Sequence, residues 1–338
     1  MSEPLRWWHW LLLPAVLAAA LLHLGTGDGP SLAAVLAQWL APGGNPADAI
    51  DQYIVLQIRL PRLVVALCGG AALAMAGTVM QASFRNPLAA PDLVGTAAGA
   101  ALGGVLAVVS QLADESVLAT PLCSLAGAGA VTWLVFALAG SHGRISVAAL
   151  LLAGVALNTL VGAVTAFAVT FTFANYTASS RLLFWLMGGL DGRTWEHAGI
   201  TAIGCVLFAA AIAPKARALD LLTLRDDSAY SLGVDAPRVR RWLLWCACGL
   251  TACTVANTGG IAFVGLVVPH LARLLVGPLH RRLLPFAAGL GGLLLVGSDL
   301  TCQLAPPESN LPLGVVTALL GAPYFLFLLA RHRRGEAL

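Results

Sequence analysis

The sequence predicts an all-α membrane protein of about ten transmembrane helices, with both termini in the cytoplasm. Three observations carry that prediction. The chain has 338 residues, of which 59% are hydrophobic and 10% charged, with a mean hydropathy of +0.84; a soluble domain has about 25% charged residues. Its apolar residues gather in runs long enough to cross a bilayer, which takes about 20 residues of helix. Its basic residues are sorted, 15 of 19 falling in the connections that share a side with both termini, and such an excess marks the cytoplasm. Frequent glycine and alanine suit helices that pack closely inside a membrane. The whole chain, 1–338, reads as a single transmembrane domain, without a linker or a clear internal repeat.

The elements follow in order. The first span, Trp8–Leu24, is flanked and opened by Trp7, Trp8 and Trp10, which suit the membrane interface, and lacks a clear small-x-small cleavage site, so it reads as a retained span. The outside segment Gly25–Ile58 carries Pro30, Pro42 and Pro46, with a short interfacial helix expected at Ser31–Leu40. The second span is Leu63–Ala82. The inside loop Phe84–Asp92 reads FRNPLAAPD; its prolines exclude a helix, and Asp92 is placed to cap the third span, Leu93–Leu112. Leu118–Ala139 and Val147–Phe171 are the fourth and fifth spans, joined inside through Arg144. A second outside segment, Ala174–Glu196, carries Arg181, Asp191 and Arg193. The sixth span is His197–Ala213. The seventh and eighth, Trp242–Ala256 and Ile261–Val276, are short, and Gly259-Gly260 between them is a tight turn or a break within membrane depth. Leu283–Leu300 and Leu313–Ala330 complete the set.

Between the sixth and seventh spans lies Pro214–Trp242, which holds 10 of the 35 charged residues in 29 positions. Leu219–Leu224 and Asp227–Leu232 are expected to form two short helices, Gly233 to stop the second, and Pro237 to end the local structure. Such a loop is a surface for a partner or merely a solvated connection. The first reading is favoured because the chain carries no energy source. Its only lysine, Lys215, follows no glycine-rich turn, so there is no phosphate-binding loop. Nor is there a chain of intramembrane carboxylates for proton relay. Asp299, the one acid plainly inside a span, is either functional or a helix-end acid facing an aqueous vestibule. Gln81, Asn158, Asn257 and His270 read as interhelical hydrogen-bonding groups. The seven cysteines lack the CxxC spacing of a zinc or redox site and read as apolar filler. No catalytic constellation, metal site or cofactor is implied, which leaves a channel or a carrier.

The run IRLPRLVVALCGGAALAMAGTVMQASFRNPLAAPDLVGTAAGAALG at Ile58–Gly103 resembles the FecCD family, the membrane permeases of ATP-binding-cassette importers for iron–siderophore, haem and cobalamin. LLLAGVALN at Leu150–Asn158, GGIAFVGLVVPHLARLLVG at Gly259–Gly277 and LPLGVVTALLGAPYFLFLL at Leu311–Leu329 match in the same order. Asp227-Ser228-Ala229, with Gly233 following, resembles the family's coupling motif.

The resemblance implies a permease in the bacterial inner membrane. Its partners would be two ATPase subunits, a periplasmic binding protein and a second permease subunit, more often identical than not; no nucleic acid is implied. Asp227, Ser228, Ala229 and Gly233 would rest on the ATPase. Arg59 and Arg62 would meet acids of the binding protein, with headgroup anchoring as the alternative. Gln303 stands in the region where some relatives carry a further outside arginine. Ser146, Val147 and Ala148 would form an apolar gate where relatives carry hydroxyl residues. The expected cargo is a ferric siderophore, with haem or cobalamin as the alternative. A stand-alone secondary carrier is the competing class.

Overall fold

A computed structural model describes residues 7–26, 46–141, 144–145, 147–172, 176–224, 230–306 and 309–333. Each expected span has its helix: α1 (Trp7–Gly25), α3 (Leu60–Phe84), α4 (Thr96–Val109), α6 (Ala119–Ala139), α7 (Val147–Thr170), α9 (Trp195–Ile212), α11 (Ala236–Thr258), α12 (Val264–Val276), α13 (His280–Leu304) and α14 (Leu313–Arg333). Four shorter helices join them: α2 (Pro46–Tyr53), α5 (Leu112–Glu115), α8 (Tyr176–Leu186) and α10 (Ala216–Leu222). The only strands among the described residues are a two-residue antiparallel pair, Gly140–Ser141 with Arg144–Ile145.

The bundle is built around α3, which runs on from α2 through a π-helical turn at Ile54–Arg59. Almost every side chain from Gly69 to Phe84 is buried, against α9, α11, α12 and α13. Small residues make this possible. A Cβ on Gly70 would overlap the carbonyl of Gly291, and one on Gly77 the carbonyl of Gly265, so α3 lies backbone against backbone on α13 and α12. One apolar cluster gathers Met80, Phe84, Leu219, Leu222 and Leu243 around the inner half of α3, and another gathers Leu63, Leu73, Val264, Val296 and Leu313 around its outer half. By contrast α7 and α9 turn Leu152, Leu160, Phe167, Ile203 and Leu207 outward. Such faces are stable against lipid or a second subunit, not against water.

Several expectations change. Asp92 caps no helix: Pro91–Val94 is a 3-10 turn, Gly95 is the residue that precedes α4, and no side chain caps it. The turn is held instead by Asn158 of α7, whose Nδ2 donates to the Asp92 carbonyl at 2.8 Å. The segment Ala174–Glu196 is not simply a loop, because α8 buries Leu182 and Trp185 against Val105. The first helix of the central loop starts and ends earlier than Leu219–Leu224, as α10. The expected helix at Ser31–Leu40 lies outside the described residues.

Candidate functional site

Polar side chains concentrate at the two ends of the bundle. At the outer end, Asp299 of α13 is fully buried, so it does not face a vestibule. Its carboxylate accepts two hydrogen bonds from Arg62, Nε to Oδ2 and Nη2 to Oδ1, both at 2.8 Å. His23 Nε2 of α1 lies 2.6 Å from Oδ2, and Gln303 Nε2, one turn along α13, lies 3.1 Å from the same oxygen. The second Arg62 terminal nitrogen, Nη1, donates to Asp191 at 2.5 Å. A buried carboxylate is tolerable only when paired and hydrogen-bonded, and here three helices supply the partners. Desolvation pushes the nearby Arg193 guanidinium down to about 10, against the opposing pull of Asp191 and with a smaller push from Arg62. Beside this network is a pocket of about 200 Å³ lined by Arg62, Phe184, Asp191, Gln303 and Asn310.

The two arginines of RLPR therefore part company. Arg59, expected as an exposed charge, is 7% exposed and donates from Nη1 to the Leu24 carbonyl at 2.8 Å. Arg62 keeps 18% of its side chain accessible at the rim of the pocket. Gln303, noted only for not being arginine, is part of the Asp299 network. Sequence spacing gives no sign of this cluster, whose members His23, Arg62, Asp191 and Asp299 are scattered across the chain; the lone acid in a span was the one signal.

Close by, three helix breaks meet. Gly189 N–H donates to the Thr258 carbonyl and Leu313 N–H to the Gly188 carbonyl, each at 2.9 Å. Gly259 has φ +68°, and a Cβ there would strike the Trp185 carbonyl. Gly259-Gly260 is thus a break between α11 and α12, and the Thr258 carbonyl at its edge is satisfied by the neighbouring break at Gly189, as irregular backbone inside a bundle requires.

At the inner end, α10 seats Ala216, Leu219 and Leu222 in the core, while Leu224, Tyr230 and Leu232 are exposed at 44%, 78% and 60%. Gly233 closes this turn with its N–H on the Tyr230 carbonyl at 2.9 Å and a φ of +81°, and nothing lies within 4 Å of a Cβ built there. The turn points away from the rest of the chain. Asp235 then caps α11 by accepting from Arg238 N–H at 3.2 Å. Asp227, Ser228 and Ala229 lie outside the described residues. So does Ser146 of the expected gate; Val147 is the first residue of α7, and Ala148 is exposed.

Two of the other singled-out polar groups, Gln81 and Asn257, donate to neighbouring helices. Gln81 Nε2 donates to the Leu266 carbonyl at 3.0 Å, in the helix that contains Pro269, and its Oε1 accepts from Arg273 at 3.1 Å. Asn257 donates to Thr201 at 2.9 Å. His270 sits 6.3 Å, ring to ring, from Tyr324. Among the described residues, no group of three His, Cys, Asp or Glu is placed to hold a metal ion, and all seven cysteines are free.

Comparison with known proteins adds to this geometry. The model of the FecCD transport family matches residues 15–331. The chain is 42% identical to the cobalamin import system permease protein BtuC of Halobacterium salinarum over 287 residues, 85% of this chain and 76% of that protein. It is 39% identical to the Fe(3+) dicitrate transport system permease protein FecD of Escherichia coli over 312 residues, 92% of this chain and 94% of that protein. Among solved structures, a metal-chelate type ABC transporter in an inward-facing conformation superposes with a TM-score of 0.84 at 30% identity, covering 95% of this chain and 98% of that one.

Proposed function

The chain belongs to the FecCD transport family, and from that premise we propose that it is the membrane-spanning permease subunit of an importer for a large metal chelate, energised by a separate ATPase. The observation that carries the reading is the family match along residues 15–331. The geometry agrees with it: a bundle without a phosphate-binding loop offers an exposed apolar turn at its inner end. On this reading Tyr230, Leu232 and Gly233, with Asp227, Ser228 and Ala229, form the contact with the ATPase. Binding energy at such a contact comes from a few large side chains in a partner's groove, and Tyr230 and Leu232 have no apolar cover of their own.

At the outer end the binding protein docks beside the pocket, where Arg62 and the exposed Asp191 fix orientation; Arg59 serves from within by holding the end of α1. Two permease subunits face each other through outward apolar faces, with Val147 and Ala148 at the inner mouth of the path. The cargo is a ferric chelate of the siderophore or citrate kind. Cobalamin is the second reading, favoured by the similarity to the Halobacterium salinarum protein.

The test has two parts. Proteoliposomes holding permease, ATPase and binding protein should accumulate chelate with ATP inside and remain active with an uncoupler; uptake abolished by uncoupler with ATP intact would point to a secondary carrier. Calorimetric titration of the binding protein with ferric siderophores, ferric citrate, haem and cobalamin then names the cargo, and selective binding of cobalamin would replace the ferric reading.

A further inference from the structure

We infer that Asp220 is a positioning residue of the transport cycle: its carboxylate on α10 caps the N-terminus of α13 and so ties the cytoplasmic loop to a helix that crosses the whole bundle. The inference rests on the reading of that loop as the contact with the ATPase.

The first N–H groups of any helix lack intrahelical acceptors. A neighbouring Ser, Thr, Asp or Asn is the favoured side chain to meet the need. α13 begins after Leu279, which has the extended backbone of a capping residue, φ −71° and ψ 116°, but no acceptor in its side chain. The acceptor comes from 60 positions earlier in the chain. Asp220 Oδ1 accepts from the His280 backbone N–H at 2.9 Å and lies 2.6 Å from His280 Nδ1. A carboxylate is favoured there by the helix dipole as well as by the hydrogen bond. His280 is 2% exposed, whereas the Asp220 side chain keeps 27% accessible, so the contact is closed on the α13 side and reaches the surface on the α10 side.

The helix that supplies this acceptor is itself firmly seated. α10 buries Ala216, Leu219 and Leu222 and packs against α3 and α13. It lies ahead of the exposed turn at Tyr230–Gly233. On this inference a force on that turn is passed along the chain to Asp220, which grips the end of α13. From His280 to Asp299 the helix rises about 28 Å at about 1.5 Å per residue. Its outer end is gripped in turn by Arg62 and His23 through Asp299. One helix thus carries a polar clamp at each end, one on the loop and one beside the outer pocket. Physical coupling between distant sites needs such a rigid element that both sites bias.

A cap that only stabilises α13 would look the same in a static structure, and substitution separates the two roles. Leu279→Ser gives α13 its own cap at a position that is 55% exposed, without any link to α10. The complete importer, with ATPase and binding protein, is reconstituted with wild type, Asp220→Asn, Asp220→Ala, and Asp220→Ala combined with Leu279→Ser. Uptake per ATP hydrolysed and the melting temperature are measured for each. The expected result is that Asp220→Ala lowers melting temperature and cuts uptake per ATP about tenfold, a normal size for a lost coupling contact. Adding Leu279→Ser should restore melting temperature but not uptake. Asp220→Asn, which keeps an acceptor oxygen, should keep most of the uptake.

Recovery of uptake in the double variant would make Asp220 a helix cap and nothing more, and unchanged uptake per ATP in Asp220→Ala would also overturn the inference. If Asp220→Ala does not assemble, the double variant, whose helix carries its own cap, gives the same decision. Wild-type complex that assembles but shows no ATP-driven uptake would overturn the importer reading itself, and this inference with it.

Discussion

At the outer end of the bundle the charged groups face one another, whereas at the inner end the exposed turn faces away from the chain. Arg62, His23 and Gln303 close around Asp299, and Arg59 turns in toward α1. At the inner end Tyr230 and Leu232 stand in the open, beside a glycine with free space around it. The difference separates two jobs. A group that holds helices together must be satisfied within the chain, because a buried charge without its partner is costly. A group that receives a partner must keep surface open to it, as Tyr230 and Leu232 do.

The comparison is broken most severely at Asp299. Asp299→Ala leaves Arg62 with only the exposed Asp191 and His23 with Gln303. The expected loss is about 3 kcal/mol, read as a lower unfolding midpoint in detergent; an unchanged midpoint would mean the network is not structural. Reversal of Arg62 to Glu should damage assembly for the same reason, so it is a poor probe of docking.

The inner end should respond in function and hardly in stability. Gly233→Arg forces a side chain into φ +81°, at a cost of about 1–2 kcal/mol confined to the turn. The permease should still insert and unfold cooperatively, while ATP hydrolysis stimulated by binding protein, and uptake, are lost. Normal stimulation would reduce the turn to a solvated connector and move the ATPase contact to Phe84–Asp92.

A smaller effect is expected from Tyr230→Ala with Leu232→Asp. Both positions are exposed, so stability should change by no more than about 0.5 kcal/mol. Affinity for the ATPase, measured by interferometry, should fall about tenfold, or about 1.4 kcal/mol. Full affinity would show that the exposed side chains are not the contact.

Smallest of all is Asp191→Ala. Its pair with Arg62 has one partner 60% exposed, and exposed pairs contribute about 0–1 kcal/mol. Stability should barely move, while docking of the binding protein should become less sensitive to salt. A large loss of stability would place Asp191 inside the structural network and blur the contrast between the two ends.

How far the sequence could be read follows from the range of each interaction. Helices need only local apolar runs, so all ten spans were legible. Gly259-Gly260 announced an irregularity because glycine pairs act locally. The helix α8 was missed because its 11 residues are too few to signal a span and its buried face is defined only by its packing on α4 and α7. Asp92 looked like a cap by position, but the chain at Gly95 enters α4 from a left-handed turn, which puts the carboxylate out of reach. Arg59 and Arg62 looked alike three residues apart, yet one sits in a π-helical turn facing α1 and the other faces α13.

The sequence by itself determined the all-α membrane class, the positions of the long apolar helices and the family, because each depends on composition or on runs of neighbouring residues. Only the tertiary structure decided which polar groups are spent inside the bundle. Asp299 finds Arg62 and His23 at separations of 237 and 276 residues, and Asp220 caps α13 across 60. The pairing of buried charges is set by which helix ends the packing brings together, and no local pattern of residues encodes that.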